Sequence, residues 1–488
     1  MLFRKDGICY GTENDENVVI NLAFVFGIRY KLVDGAQTKH RTAAKCISGA
    51  GRRDALGWFR RICPHAFFCS LQADLGIRER IRIFTFPVTV WLMIVQRLSG
   101  GTLADAVAEL VAGNGWELLE PCSRVRRGAV SLNTGAYSQA RMRVPVEGAR
   151  QIAQHTFEYL HTAAPRHSVR ERAFLMDGTS IRLPHTAALL KQYPAASNQH
   201  GDAHWPIMRV VTIHHVVTGL ALPPCYGPMY GDNGVGEQEL AEQMLERLPA
   251  GSVLVGDRNF GVFSLVWQAC SKGHDVLVRL KQDRAALLTE ALAVNADQSV
   301  EWQPSARELR AHPELTRDIR LKGRLVVVQG ELSSEPLYLF TTLRESTGDI
   351  ASLYKERWNV ETDLRSLKEQ MKLHSISAKT PDMAASELML AIAAYNLIRA
   401  VMQEAARQAG IQPRRLSYSR AQSCFWPFIR LLSTTSGNTP DFEYHWQRFI
   451  RAIAQCKLPN RSRPSAPRAI WPKRSAFPTR QTSQEKTK

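Results

Sequence analysis

The sequence contains Ala173-Phe-Leu-Met-Asp177 and, 80 residues later, Ser252-Val-Leu-Val-Gly-Asp257, two apolar runs that each end in a carboxylate. Short continuous apolar runs of this kind are typical of strands that are buried on both faces of a sheet. Open α/β sheets place their functional side chains at the carboxyl ends of such strands. We therefore predict two buried strands that carry Asp177 and Asp257 at one edge of a sheet.

The segments around these two runs alternate between strand and helix patterns. Leu240, Met244, Leu245 and Leu248 form one apolar stripe, which predicts a helix just before the second run. Alternation of this kind indicates an α/β sheet. The predicted strands are 173–177, 208–215, 219–226, 252–257 and 275–280, and the predicted helices are 236–248 and 260–272.

The flanking regions have other patterns. Residues 324–329 and 337–342 predict strands of a separate β-rich insert. Helical periodicity resumes over 350–372 and 383–407, and Ser346 with Asp349 forms a capping pair before the first of these helices. Before residue 173, apolar periodicity over 51–113 and 146–160 predicts an N-terminal helical domain.

The chain has an excess of positive charge, with 63 Lys plus Arg against 45 Asp plus Glu and a net charge of +18. An excess of this size favours a polyanionic partner such as nucleic acid, because basic side chains displace the counterions of phosphates. An inert basic surface is the alternative on charge alone. Residues 457–488 contain nine Lys or Arg and one Glu, and are rich in Pro and Ser, which predicts a disordered or DNA-following tail.

The cysteines and the apolar segments bear on the compartment. Nine cysteines are scattered without a Cys-x-x-Cys pair, which is typical of a reduced compartment. The longest nearly apolar stretch, 83–95, is shorter than the roughly 20 residues that a spanning helix needs. We predict a cytoplasmic protein without a membrane segment, and a nucleoid-associated one if it binds DNA.

Asp177 and Asp257 can be interpreted either as metal ligands or as residues that cap turns. Hydrolysis and transfer of a phosphodiester commonly use two divalent ions about 4 Å apart, and magnesium prefers oxygen ligands, so a few convergent carboxylates are sufficient. Alternatively, each aspartate caps a turn, which is the more common role for either one alone. A third carboxylate in a suitable place weakens that alternative.

Glu361 is the candidate for the third carboxylate. It lies in the pattern Tyr354-x2-Arg357-x3-Glu361-x6-Lys368. Spacings of 3, 4 and 7 residues place these four side chains on one face of a helix. Such a face would suit a phosphate backbone that crosses a metal site. A solvated face with i,i+4 ion pairs remains the alternative.

These motifs together resemble a known family. Asp177-Gly-Thr, Asp257-Arg-Asn-Phe and the Tyr-Arg-Glu-Lys pattern occur in the order found in bacterial insertion-sequence transposases of the insertion-sequence-four group, within the DDE superfamily. Ser131 to Pro145 and Gly236-Glu-Gln-Glu-Leu240 are also similar, and the resemblance extends over roughly residues 134–474. The Tyr-Arg-Glu-Lys pattern is its specific part, whereas Asp-Gly-Thr alone is weak.

The resemblance implies a fold and a division of the chain. It implies an α/β, RNase H-like mixed sheet with flanking helices, interrupted by a β-rich insert and preceded by a helical domain. The expected parts are a patternless extension (1–50), a helical DNA-binding domain (51–165), a catalytic core (166–281 and 346–410), the insert (282–345), a C-terminal helical region (411–456) and the basic tail (457–488).

The resemblance also implies roles for individual residues. Asp177, Asp257 and Glu361 would be the catalytic residues and would hold Mg²⁺, for which Mn²⁺ can substitute. The expected partners are the double-stranded DNA of the transposon ends and the target, with a homodimer in the DNA complex. The residues expected to contact DNA are Tyr354, Arg357, Lys368, Arg365 and Arg258.

Members of this group often flip a base at the transposon end and stack it on an aromatic side chain. Trp302 and Tyr338 of the insert, together with Phe340, are candidates for that role, because aromatic stacking returns about 1–3 kcal/mol per base. Ordinary strand core is the alternative for Tyr338 and Phe340. Adjacent His214 and His215 would face opposite sides of a strand and are not expected to share a metal.

The expected function is metal-dependent cleavage and strand transfer of insertion-sequence ends, which is cut-and-paste transposition. Two other functions remain open: a DNA-binding derivative that has lost the chemistry, and an RNase H-like nuclease of another purpose. The intact carboxylate triad argues against the first, and the insert and the basic flanks argue against the second.

Overall fold

The computed structural model describes residues 56–80, 82–115, 118–120, 122–162, 166–198, 201–329, 335–434 and 440–459. The predicted N-terminal extension and nearly all of the predicted basic tail lie outside these residues. Within them the protein is a mixed α/β structure built around one large sheet.

The strands of the described residues form an eight-stranded sheet and a separate two-stranded ladder. The large sheet has the order β5-β4-β1-β6-β7-β10-β9-β8, and β2 pairs only with β3. β1, β6 and β7 run parallel, and the other pairs are antiparallel. The strands are β1 (Ala173–Arg182), β2 (Ser197–Asn198), β3 (Gly201–Asp202), β4 (Ile207–His215), β5 (Cys225–Pro228), β6 (Val253–Gly256), β7 (Asp275–Leu280), β8 (Asp297–Trp302), β9 (Leu321–Gln329) and β10 (Pro336–Thr341).

The sheet is covered on both faces, which explains the unbroken apolar runs of its central strands. Ala173 and Leu175 belong to one buried cluster, whereas Phe174 and Met176 belong to the other. Alternate residues of a strand point to opposite faces, so every position of β1 before Asp177 is buried. The mixed sheet with helices on both faces is consistent with the RNase H-like expectation.

Helices make up most of the remaining described structure. They are α1 (Leu56–Ile62), α2 (His65–Asp74), α3 (Phe86–Ser99), α4 (Leu103–Val111), α5 (Ser123–Arg126), α6 (Gly135–Arg141), α7 (Val146–His161), α8 (Ala187–Gln192), α9 (Glu237–Met244), α10 (Phe263–Ser271), α11 (Gln282–Ala286), α12 (Ala306–Ala311), α13 (Thr347–Lys355), α14 (Trp358–Arg365), α15 (Pro381–Gln408), α16 (Tyr418–Thr434) and α17 (Pro440–Ala454).

Two strand predictions differ from the structure. The segments predicted as a separate β-rich insert extend the main sheet, because β10 pairs with β7 on one side and with β9 on the other. Leu339 and Phe340 are both fully buried, so β10 needs a sheet that is covered on both faces. The predicted strand 219–226 is reduced to the short β5, because Pro223 and Pro224 cannot donate ladder hydrogen bonds.

The predicted single helix over 350–372 is wrong. Ser346 caps α13 through the backbone N–H of Asp349, as predicted, but the chain turns at Glu356 and Arg357 before α14 begins. α13 packs against β7 and α14 against β1, so the two helices follow different strands. Glu356 accepts a hydrogen bond from Arg170 Nη2 at 3.0 Å, which holds the turn at the start of β1. A π-helical turn, Ser366–Gln370, follows α14.

The N-terminal helices and the sheet share one core. α15 packs against α3 and α7, and a single buried cluster contains residues of these helices and of β1. The carboxylate of Glu387, on α15, accepts hydrogen bonds from Arg97 at 2.5 Å and from Arg141. All three side chains are buried, so these helices are fixed to the sheet through both apolar and ionic contacts.

α15 is also the one helix of the described chain that is long and apolar enough to cross a membrane. The apolar window of this helix is 100% buried inside the protein.

Candidate active site

Asp177 lies on β1, and Asp257 directly follows the neighbouring parallel strand β6. Leu175 of β1 is paired with Val255 of β6, and each aspartate lies two residues further along its strand direction. Asp177 therefore continues the row of β1 that faces α13 and α14, and Asp257 comes two residues after Val255, which faces the same helices. β1 does not end at Asp177, as the sequence suggested, but continues to Arg182 beside β4. β6 does end, at Gly256, so Asp257 begins a loop.

The electrostatic surroundings of Asp177 are unusual for a carboxylate. Burial raises the pKa of Asp177 to about 6, and the negative charges of Asp257 and Glu237 act in the same direction. The backbone N–H of Gly178, which donates to Asp177 Oδ1 at 2.8 Å, and the charge of Arg357 oppose this rise. Asp257 and Glu237 are thus close enough to Asp177 for their charges to disfavour its ionised form.

Glu361 lies in the first turn of α14, whose Val360 and Leu364 pack on the same sheet face. Its side chain is 45% exposed, and its carboxylate is 3.6 Å from Arg357 Nη2. Within the described part of the chain, no three His, Cys, Asp or Glu side chains lie close enough to share one metal ion. The fold thus places Glu361 on the helix that covers the two aspartates, with its carboxylate directed to Arg357.

Arg357 connects several groups of the site. It occupies the N-cap position of α14, and its guanidinium lies 4.9 Å from the centroid of the Trp358 ring. It hydrogen-bonds to Tyr354, whose pKa is raised by burial and lowered in part by this arginine. Its charge also reaches Asp177. The guanidinium is therefore close to Glu361 and acts on the charge of Asp177.

Lys368 lies near Asp177, but on a π-helical turn and not on the continuous α-helix that the sequence predicted. It lies in the π-helical turn after α14, where burial lowers the pKa of its ammonium and Asp177 partly restores it. Arg357 and Lys368 thus lie close enough to Asp177 for the charges to interact, although the two residues do not share one regular helix. Arg258 and Arg365 are exposed on the adjoining loop and helix.

The aromatic residues predicted to stack a flipped base are core residues. Trp302 is 4% exposed and packs edge-on against Phe263 and Phe340. Tyr338 is 6% exposed, and Phe340 is fully buried. The base-stacking prediction for Trp302 and Tyr338 is therefore not supported, because β8 and β10 belong to the covered sheet. Trp358, which the sequence reasoning missed, is 50% exposed beside Arg357.

A second carboxylate of α14 was also missed. Asp363 is fully buried and accepts hydrogen bonds from Arg414 at 2.6 and 2.7 Å and from Tyr395 at 3.1 Å. Arg399 is a further donor to the same carboxylate. Burial acts to raise the pKa of Asp363, but Arg414 and Arg399 outweigh it and hold that pKa below its usual value. This network fixes α14 to α15 and to the segment after it.

His214 and His215 face opposite sides of β4, as predicted. The ring of His214 packs edge-on against Tyr395, whereas His215 packs against His161 and Phe174. Burial lowers the pKa of each to about 4, so both are neutral near pH 7. His214 is 3.7 Å from Asp363 but does not form an ion pair in that neutral form.

Two comparisons show which known proteins this chain is similar to. Residues 169–397 match the family described as the transposase DDE domain, a span that begins just before β1 and ends within α15. The chain is also 24% identical over 351 residues to the transposase InsG for insertion sequence element IS4 of Escherichia coli strain K12, which covers 70% of this chain and 78% of that protein. Residues 169–397 therefore match a transposase DDE domain, and the chain as a whole is similar to the transposase of the insertion sequence IS4.

Proposed function

We propose that this transposase cleaves the ends of its insertion sequence and joins them to target DNA by a cut-and-paste reaction. The observation that carries the proposal is that Asp177 lies on β1 and Asp257 directly follows the adjacent parallel strand β6, with positive charge from Arg357 and Lys368 beside Asp177. Mutually repelling carboxylates cost stability, and a bound divalent cation removes that cost. Such an arrangement suits a metal-dependent phosphodiester reaction.

Asp177, Asp257 and Glu361 are the proposed ligands of Mg²⁺, with Mn²⁺ as a substitute. Their donor atoms are all carboxylate oxygens, which are the ligands that these ions prefer. A bound pair of ions would polarise the phosphate and stabilise the attacking and leaving oxygens. Glu361 is half-exposed and its pairing with Arg357 spans 3.6 Å. An ion pair of this kind contributes under about 1 kcal/mol, so it presents little obstacle to a competing ligand role.

The cationic groups would orient DNA at the two aspartates. Arg357 can bind a phosphate through two parallel N–H donors, whereas Lys368 acts as a point charge. Tyr354 supports Arg357 from the buried side through its hydrogen bond. Arg258 and Arg365 are exposed and would contact the backbone on either side. The double-stranded partners are the terminal repeats and the target, held by a homodimer in the nucleoid of the cytoplasm.

Cleavage of a labelled end fragment by the purified full chain tests the proposal. We expect cleavage with Mg²⁺ or Mn²⁺, none in excess chelator, and none by Asp177→Asn or Asp257→Asn. Both variants should still bind the end within a few-fold, because affinity is spread over many phosphates. Specific binding without cleavage in any divalent metal would instead indicate a DNA-binding derivative that has lost the chemistry.

A further inference from the structure

Asp257 lies beyond the hydrogen bonds that join its strand to β1. The β1–β6 ladder ends at the pair Leu175 and Val255, whereas Asp177 remains paired with Thr212 of β4. The position of Asp257 relative to Asp177 is therefore set by the loop that follows β6. Other contacts must fix that loop if two carboxylates are to stay in register.

Glu237, the first residue of α9, contacts both the Asp257 loop and the Asp177 strand. Its Oε2 accepts a hydrogen bond from Asn259 Nδ2 at 2.5 Å. The backbone N–H of Asn259 donates in turn to Asp257 Oδ1 at 2.8 Å. Gln238 Nε2 donates to the backbone oxygen of Asn259 at 2.7 Å, so the start of α9 holds this loop residue twice.

The other side of Glu237 lies against Gly178, the residue after Asp177. A Cβ atom at position 178 would be 2.5 Å from Cδ and 2.7 Å from Oε1 of Glu237. No side chain fits there while Glu237 keeps its place, because real Cβ contacts are not this short. Position 178 therefore accommodates only glycine while Glu237 is in place. The carboxylate of Glu237 fills the space between the two segments that carry Asp177 and Asp257.

We propose that Glu237 is a positioning residue, which holds the Asp257 loop against the Asp177 strand through Asn259 and Gly178. The inference rests on the proposed function. Glu237 acts here as a hydrogen-bond acceptor, and its negative charge is not the property that matters. Among the described residues Glu237 forms no ion pair, and its side-chain donor is the neutral amide of Asn259.

The first experiment compares Glu237→Ala with Glu237→Gln in single-turnover end cleavage. The alanine variant loses the acceptor, and outer-shell changes of this kind typically cost 10–100-fold, so we expect about that loss. The glutamine variant keeps an acceptor of the same shape, so we expect it to stay within about threefold of the unaltered protein. Glu239→Ala is the matched control, because Glu239 is an exposed carboxylate on the same helix.

Mn²⁺ binding by the full chain, followed by electron paramagnetic resonance, provides a readout that is independent of turnover. Glu237→Ala should weaken Mn²⁺ binding roughly tenfold or more, and Glu237→Gln should leave it within about twofold. An equal loss in both variants would make the charge essential and overturn the positioning role in favour of a ligand role. Unchanged cleavage and Mn²⁺ binding in Glu237→Ala would also overturn it.

Two double variants test the contacts themselves. Asn259→Ala should cause about the same loss as Glu237→Ala, and the double variant should be no worse than either one, because both break one hydrogen bond. Gly178→Ala should impair cleavage alone but add nothing in the Glu237→Ala background, where the obstructing carboxylate is absent. Additive losses in both pairs would contradict the proposal.

Asp177→Asn, run in the same assays, separates this proposal from the proposed function. If Asp177→Asn cleaves like the unaltered protein, the proposed active site is wrong. If Asp177→Asn is inactive while Glu237→Ala is fully active, the site stands and the role of Glu237 is wrong.

Discussion

Helix α14 carries two carboxylates, two residues apart, in opposite surroundings. Asp363 is fully buried and is bound by Arg399, Arg414 and Tyr395. Glu361 is 45% exposed and is 3.6 Å from Arg357. Both residues face arginine, but only Asp363 has donors for both of its oxygens at short distance.

The difference indicates that a buried carboxylate of α14 stabilises the fold, whereas an exposed one remains able to bind a ligand. A buried carboxylate must have its hydrogen bonds and charges matched, since an unmatched one is costly. A solvent-exposed carboxylate with only a weak ion-pair partner still has oxygen lone pairs that can bind a ligand. Asp177 differs from both, because it is partly buried and lies beside the negative charges of Asp257 and Glu237.

The largest expected effect is on catalysis, at the exposed carboxylate Glu361. Glu361→Gln should lower single-turnover end cleavage by on the order of 10⁴-fold, as removal of an essential catalytic group does in other enzymes. Its unfolding free energy should change by less than about 1 kcal/mol, because the lost ion pair is half-exposed. Cleavage assays and thermal unfolding measure the two effects. A folded variant with substantial cleavage would remove Glu361 from the site.

Asp363 is the buried carboxylate of the same helix, and Asp363→Asn should lower the free energy of unfolding. Removing one partner of a buried ion network leaves Arg399 and Arg414 uncompensated, which costs about 3–5 kcal/mol. Denaturant unfolding of the purified variant measures this loss. A variant as stable as the unaltered chain would show that the network is not the anchor of α14.

The pH dependence of stability reports on the buried histidines. Burial lowers the pKa of His161 to about 3 and those of His214 and His215 to about 4. The unfolded state therefore binds more protons than the folded state below pH 6.5, and stability must fall as the pH drops from 6.5 towards 4.

We expect each of these three histidines to cost about 1 kcal/mol of stability by pH 5.5, and none of this cost above pH 7. Thermal unfolding from pH 7.5 to 5 measures it. His161→Phe is the matched variant, because His161 already stacks on Phe157. It should flatten the acid decline by about one third, and an unchanged pH profile would contradict the assignment. Asp363, with its lowered pKa, contributes only at more acidic pH.

The smallest expected effect on stability is at Arg357. Arg357→Ala should cost under about 1 kcal/mol of unfolding free energy, because its pair with Glu361 is long and half-exposed. Cleavage should fall more in Arg357→Ala than in Arg357→Lys, since lysine keeps the charge but loses the planar fork. Single-turnover cleavage of a pre-nicked end compares the variants. Unaltered rates in both would limit Arg357 to a surface ion pair.

The parts of the fold that follow from local pattern were predictable. The runs before Asp177 and Asp257 are apolar at every position because the strands are covered on both faces, and β7 was predicted with its observed bounds. The face that carries Arg357 and Glu361 could also be predicted, because i,i+4 spacing survives in α14.

What could not be predicted depends on contacts between distant segments. The pairing of β10 with β7 joins residues about 60 apart, and no local signal distinguishes it from a separate insert. The turn at Glu356 depends on Arg170, nearly 190 residues earlier. Trp302 was a candidate for base stacking because β8, the strand that carries it, was not predicted.

The ionic cluster of Glu387 with Arg97 and Arg141 has a consequence for engineering. A fragment that began at Arg170 would expose the surface of α15 that α3 and α7 cover, and would lack both arginines that pair with Glu387. The amino-terminal helices cannot therefore be exchanged between relatives as an independent cassette. A chimera that is meant to acquire a new DNA specificity should keep residues 86–161 with their own α15 and alter only exposed side chains.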